Sequence, residues 1–283
     1  MTRDIEYYIL ELNKIIRSPE YVLSCKPLFL EIYNDQSAVH NAIKGHLRKL
    51  AEDPYYSPRS FSNDHFIFTA GPSGFPPNEK ALNFDLMVGI HTSGQAVATS
   101  NSAYCLCMPL QHQLDVEIYA LPDTWDSSIY DPTIVLQKTG EKIVHPGEIL
   151  EVVPMGDIFR FSPECPTALL KLVSKSADAF EWSFDLKTGL PWQSIATDLM
   201  VSQIADACEG AKSLGDVEFT NALLDATYHN AHFIRWAAIQ ALATLNQEVA
   251  LLRLAELTKD PHPHIASAAR KSIEANLMVG ERG

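Results

Sequence analysis

Positive charge is scarce in this chain: 22 Lys and Arg stand against 35 Asp and Glu, for a net charge of −13. A surface that tracks phosphates needs clustered Lys and Arg. No such cluster occurs, so neither nucleic acid nor an anionic membrane is expected as a partner. No apolar run approaches the length needed to cross a bilayer. The opening Met1-Thr-Arg-Asp-Ile-Glu lacks the apolar core of a secretory signal. Cysteine is sparse as well, with five residues at 25, 105, 107, 165 and 208, odd in number and irregularly spaced. That pattern fits reduced thiols in the cytoplasm rather than a disulfide framework. The C-x-x-C arrangement of zinc and redox sites is missing. Cys105-Leu-Cys107 is too close for it and reads as two small core residues in an extended stretch. A serine-hydrolase G-x-S-x-G is absent, and Gly71-Pro-Ser-Gly74 lacks the lysine and following helix of a phosphate loop. Cys165 follows Glu164, acidic company that disfavours the thiolate a nucleophile needs.

What remains is the composition of a folded protein, 283 residues with 46% hydrophobic and 20% charged side chains. That length allows one large or two ordinary domains without disulfides or metal. The hydrophobic period changes twice along it. In residues 1–60, Ile5, Tyr8, Ile9, Leu12, Ile15 and Ile16 fall at helical spacing, and a second helix is predicted over 37–50 with Val39, Ala42, Ile43, Leu47 and Leu50 on one side. This makes an N-terminal helical cap.

Residues 61–192 alternate at the period of strands. The spacing predicts strands over 65–69, 83–91, 103–108, 114–120, 133–137, 149–153, 158–161, 168–173 and 180–185, separated by Gly and Pro. Many short strands with no intervening helices indicate an antiparallel sandwich or barrel. Gly189-Leu-Pro-Trp192 marks the exit from the sheet. Helices are then expected near 194–213, 217–229, 232–245, 247–258 and 263–277, making residues 193–283 a helical region. The fold class is thus α+β in three sections.

Within the last section one pattern recurs at an offset of 31 residues. Leu223-Leu224-Asp225-Ala226-Thr227 answers to Leu254-Ala255-Glu256-Leu257-Thr258. Ile234, Ala237, Ala238, Ala241 and Leu242 answer to Ile265, Ala268, Ala269, Ser272 and Ile273. A repeat of this length is a helix–turn–helix unit that must stack on a neighbour to bury its apolar face. The break Lys259-Asp-Pro-His-Pro-His264 followed by Ile265-Ala-Ser-Ala-Ala-Arg270, and Phe233-Ile-Arg-Trp-Ala-Ala238 one unit earlier, resemble HEAT repeats, including the phycobilisome-lyase-like group. The resemblance implies a protein-docking surface. Phe233, Arg235 and Trp236 are the candidate partner-binding residues, although isolated aromatics of this kind also pack at domain contacts. His229, His232, His262 and His264 fall in the inter-helix breaks, where stacking could gather them into a metal or pH-sensing patch or leave them as exposed turn residues.

The β-section is similar to cupin jelly rolls. Gly140-Glu-Lys-Ile-Val-His-Pro146-Gly147-Glu148, followed by Ile149-Leu-Glu-Val-Val-Pro154-Met-Gly156, echoes the family's second motif. Leu110-Gln-His112 with Glu117 echoes its first, the metal motif. Leu110 and Phe159 stand where two of the family's histidines belong, so His112 and Glu117 are the candidate metal ligands that remain. Two protein ligands fall short of the three or more that catalytic metals usually take. A third would have to come from His65, His91 or His145.

Two functions fit these residues. One is a cytoplasmic module that binds a small molecule in the barrel and offers the helical repeats to a protein partner, with no cofactor required. The other is a metal-dependent cupin enzyme, an oxygenase or isomerase, in which a divalent Fe, Mn, Cu or Zn acts as Lewis acid or redox centre. The cupin resemblance also implies a homodimer paired through its sheets.

Overall fold

A computed structural model describes residues 3–53, 61–62, 65–68, 82–92, 97–123, 125–129, 131–162, 165–177, 179–197 and 199–280. It divides into two units, Met1–Thr197 and Asp198–Gly283.

The first unit opens with three helices, α1 (Ile5–Ile15), α2 (Lys26–Asn34) and α3 (Gln36–Glu52), with a 3-10 segment Pro19–Cys25 before α2. The Asp4 side chain caps α1 by accepting from the Tyr7 backbone N–H at 2.9 Å, which satisfies a donor with no partner inside the helix. Ile5, Tyr8, Ile9 and Leu12 are buried, as their spacing predicts. Two expectations need correction. Leu47 and Leu50 on α3, and Ile15 at the end of α1, are exposed, so the apolar stripes of both helices close before their C-terminal ends. And α2, where Phe29 and Ile32 are fully buried, escapes the periodicity because it is only nine residues long.

Twelve strands follow among the described residues: β1 (Phe61–Ser62), β2 (His65–Ile67), β3 (Phe84–His91), β4 (Val97–Thr99), β5 (Cys105–Pro109), β6 (Leu114–Ala120), β7 (Gln137–Val144), β8 (Leu150–Val152), β9 (Ile158–Phe161), β10 (Thr167–Ser174), β11 (Phe180–Asp185) and β12 (Pro191–Ala196). They form three sheets, ordered β1-β2-β3-β10-β5-β8, β12-β11-β4 and β7-β6-β9. Every pairing is antiparallel. The antiparallel middle section expected from the alternation is therefore present. Its edges shift in two places. The expected strand over 133–137 is displaced: β7 begins at Gln137 and runs through Gly140 to Val144. The chain also makes three strands that the spacing did not predict, β1, β4 and β12; because β12 follows the Gly189 turn, the first helix of the second unit starts at Leu199 and not near 194.

The six-stranded sheet is covered on both faces. Phe84, Leu86 and Val88 of β3, Leu106 and Met108 of β5, and Leu170 and Leu172 of β10 point to one side, where they pack with Tyr8, Leu12, Phe29 and Ile32. Successive side chains of a strand alternate faces. The intervening residues Cys107 and Leu169 accordingly point the other way, into a second core with Leu114, Val116, Val144 and Leu150. This explains the apolar stretches Ala168-Leu-Leu170 and Leu172-Val173 of β10: a strand covered on both sides has little solvent face to supply polar residues.

The second unit holds α4 (Leu199–Leu214), a 3-10 turn (Val217–Phe219), α5 (Thr220–Ala226), α6 (His232–Leu245), α7 (Gln247–Leu257) and α8 (Pro263–Gly280). Gly215, at φ +70°, ends α4 in the left-handed conformation that glycine adopts without strain. Asn246 caps α7 by accepting from the Val249 N–H. Positions related by the 31-residue offset take matching buried places: Leu223 with Leu254, Ile234 with Ile265 and Ala238 with Ala269. Alanines at 238, 241, 250 and 269 let the helices approach closely around one core.

Candidate functional site

In the first unit a pocket of about 290 Å³ lies against the face of the six-stranded sheet that turns away from the helices. Strand parity builds it. Met87 of β3, Cys105 and Cys107 of β5, and Lys171 and Val173 of β10 all sit at alternate positions on that face, with Phe159 and Phe161 of β9 lining the pocket as well. Lys171 stands on the central strand with Met87 beside it on one neighbour and Cys107 on the other. A polar rim comes from Ser100, Asn101 and Ser102 and from Glu181 on β11.

Lys171 is half-buried, and its Nζ lies 2.6 Å from Nε2 of His91, at the end of β3. Facing an ammonium, which carries donors alone, the ring nitrogen is the acceptor. The His91 ring meets Phe161 edge-on with centroids 5.3 Å apart, and Lys171 Nζ stands 5.9 Å from the centre of the same ring. Cation and imidazole thus share one aromatic wall.

Burial pushes both thiols up, Cys107 to about 11 and Cys105 further, while the Lys171 charge pulls the other way. The thiols are therefore protonated at neutral pH and unsuited to nucleophilic attack. At the rim, burial pushes the Glu181 carboxyl up, opposed by a long hydrogen bond of 3.5 Å from Ser102. Asn101 ties the rim to the β8–β9 turn: its side-chain amide donates to the Asp157 carbonyl and its own carbonyl accepts from the Met155 N–H. Met155 holds φ +59°, an uncommon conformation for a residue with a side chain.

The motif-derived candidates lie elsewhere. His112 is exposed in the bend between β5 and β6. Leu114 and Val116 of β6 point into the core, so Glu117 points to the opposite face. There its carboxylate accepts from Arg160 at 2.5 Å, Lys138 at 2.6 Å and the Tyr119 hydroxyl at 3.0 Å. Lys138 chiefly, with Arg160 and Tyr119, holds Glu117 down at about 2. A carboxylate with its lone pairs committed to two cations is a poor metal donor. His145 is exposed in the turn after β7, and the His65 side chain lies outside the described residues. Among the described residues no three His, Cys, Asp or Glu side chains converge as metal ligands.

In the second unit, three of the four break histidines do come together. His232 and His262 stack with centroids 3.7 Å apart and planes 6° from parallel, and His264 meets His262 edge-on at 5.3 Å. Burial first, and then His262, pushes His232 down to about 4. His229 is tied in through its backbone carbonyl, which accepts from Arg235. Arg235 is buried and spent on structure: Nε and Nη2 donate to Asp260 at 2.8 and 2.6 Å, and Nη1 donates to the carbonyls of His229 and Asn230. Trp236 lines a groove of about 340 Å³ with Ile239, Ala243, Leu251 and Leu254. Phe233 lies half-buried beside the His232 ring. All five cysteines are free thiols, and no helix among the described residues is long and apolar enough to cross a membrane.

No family model and no curated protein matches the chain. Among solved structures it is similar to two hydroquinone 1,2-dioxygenases. One is PnpCD, in complex with Cd2+ and 4-hydroxybenzonitrile, at 14% identity and TM-score 0.26 over 35% of this chain. The other, from Sphingomonas sp. TTNP3 with 4-hydroxybenzoate bound, matches at 18% identity and TM-score 0.26, again over 35% of this chain. The chain spans 62% and 63% of those two proteins. A vicilin from Capsicum annuum is similar at 16% identity and TM-score 0.29, over 47% of this chain and 33% of that one. Likenesses this slight carry no inference about what this chain binds or does.

Proposed function

We propose that the first unit is a cupin-like small-molecule-binding module whose ligand occupies the pocket above β3, β10 and β5. One observation carries this reading. Lys171, the His91 imidazole it meets at 2.6 Å and the Glu181 rim carboxyl are gathered at a pocket whose walls are mostly apolar. Polar and charged groups converging on an apolar concavity are what a small-molecule site requires. The protonated thiols and the committed Glu117 carboxylate favour binding over thiol or metal chemistry. The second unit contributes the surface for a protein partner. The groove beside Trp236 suits that role, whereas Arg235 is occupied in holding its own fold.

The test is a titration of the full chain, labelled for amide NMR, with a panel of small organic fragments. Fragments should move the amides of Cys105, Cys107, Lys171 and Val173 together. A panel that moves none of these, or only residues beyond 198, would overturn the reading.

A further inference from the structure

Glu181 is a carboxyl that the fold places in a pocket and leaves without a counter-charge. On β11 it stands between Phe180 and Trp182, both buried, and strand alternation turns it to the other face, where it lines the pocket. The residue is half-buried. Among the described residues its partner is the Ser102 hydroxyl, at the long distance of 3.5 Å, and no Lys or Arg pairs with it. Glu117 makes the contrast plain, since Lys138 and Arg160 both meet that carboxylate. Burial pushes Glu181 up and Ser102 pulls it back. A desolvated carboxylate is stable in its charged form only when a cation or several donors meet it.

The groups lining the pocket beside Glu181 are left as acceptors. Asn101 spends a side-chain N–H on the Asp157 carbonyl and keeps its side-chain oxygen. Ser102 gives its hydroxyl hydrogen to Glu181 and keeps its oxygen lone pairs. Lys171 serves another part of the pocket. It is engaged with His91, and its charge acts on Cys105 and Cys107, whereas among the described residues burial and Ser102 are what act on Glu181. The rim is thus a set of acceptors lacking a cation, beside apolar walls that include Val152, Phe159 and Phe161. The pocket's size suits a molecule of modest bulk, and the two rings suit a flat or aliphatic body.

We propose that the pocket takes a small organic amine, with its ammonium on the Glu181 carboxylate, Asn101 and Ser102 as further acceptors, and its apolar body against Phe159 and Phe161. This rests on the small-molecule reading above and narrows it to one chemical class. An ammonium has three N–H groups and no acceptor, which matches three side chains that accept. Its bond to a carboxylate is of the charge-assisted kind, stronger than a bond between neutral groups.

Matched pairs of like shape test this on the full chain by amide NMR: phenethylamine against phenethyl alcohol, and butylamine against 1-butanol, with phenylacetate as the anionic control. Each amine should bind at least tenfold more tightly than its alcohol, moving the amides of Ser102 and Glu181 along with those of Cys105 and Val173, and the acid should bind worst. Glu181→Gln, which keeps the shape, should bring the amine down to the level of the alcohol. Glu181→Asp, which keeps the charge on a shorter stem, should retain a preference for the amine. The melting temperature of each variant reports whether its fold is intact. Amine and alcohol binding equally, with the pocket amides still moving, would overturn the amine assignment and leave the binding module standing. The same holds if Glu181→Gln keeps the discrimination or if the acid binds best. If none of the five compounds moves the pocket amides, both readings fall.

Discussion

Lys171, which lines a pocket with mostly apolar walls, meets His91 across neighbouring strands, Nζ to Nε2 at 2.6 Å. An ammonium at such a place loses hydration, and the hydrogen bond to the imidazole returns only part of that cost. Replacing a desolvated charge by an apolar side chain of similar length often stabilises a protein. Lys171→Met should therefore raise the stability of the first unit by about 1 kcal/mol in urea unfolding. A loss of similar size would mean that the amine holds the fold together rather than a ligand.

Arg235 closes the junction between α6 and the turn before α8 through a bidentate ion pair with Asp260, and its side chain and that of Asp260 are 11% and 4% exposed. Removing one partner leaves a buried charge behind. Arg235→Ala should cost the second unit about 3–5 kcal/mol, read as a drop in its unfolding midpoint. Arg235→Lys should recover only part of this, since one ammonium cannot span both carboxylate oxygens and the carbonyls of His229 and Asn230.

Glu117 is held well below the ordinary carboxylate value of 4.5, at about 2, chiefly by Lys138 and then by Arg160. A depressed carboxylate contributes stability that is full above about pH 4.5 and lost as the pH falls towards 2. Glu117→Gln should destabilise the first unit by about 1–2 kcal/mol at neutral pH. The wild-type and variant curves should converge in acid. Parallel curves across that range would show that the ion pairs contribute nothing.

His232 behaves in the same direction for a different reason. Burial and the stacked His262 ring, with Arg235 and His264 adding to them and Asp260 opposing, keep it neutral down to about pH 4 against an ordinary 6.5. The unfolded chain binds that proton more readily, so the second unit should lose stability as the pH falls from about 6.5 to about 4, on the order of 1–2 kcal/mol after screening. Asp260, held below its ordinary value of 3.8 because Arg235 outweighs its burial, adds its loss only at lower pH. His232→Gln should flatten the wild-type slope between pH 6.5 and 4 while leaving the steeper loss below it.

Much of this was legible in the residues. β6, β9, β11 and α6 fall where periodicity puts them, because each combines a clear alternation or helical stripe with turn residues at both ends. Glu117 shows how a motif misleads when spacing is counted without parity. Leu114, Val116 and Ile118 already declare one inward face, and Asp115, Glu117 and Tyr119 must then take the other. Lys171 was the harder case. β10 is apolar on both sides, so its own sequence does not say which side the lysine takes. Only its pairing with Met87 and Cys107 decides that, and pairing is a long-range property. β1, β4, β12 and α2 were missed because strands of two or three residues, a short strand beside a glycine turn, and a helix of nine residues give too little period to read.

The two-sided sheet has a practical bearing on how this protein can be cut. Phe84, Leu86, Leu106, Met108, Leu170 and Leu172 are fully sheltered from water by the first fifty residues. A fragment begun after residue 53 to isolate the strands would strip that cover and present six large side chains to solvent at once. It should precipitate or self-associate rather than yield a smaller soluble barrel, whereas a fragment retaining residues 1–197 keeps its greasy side dressed.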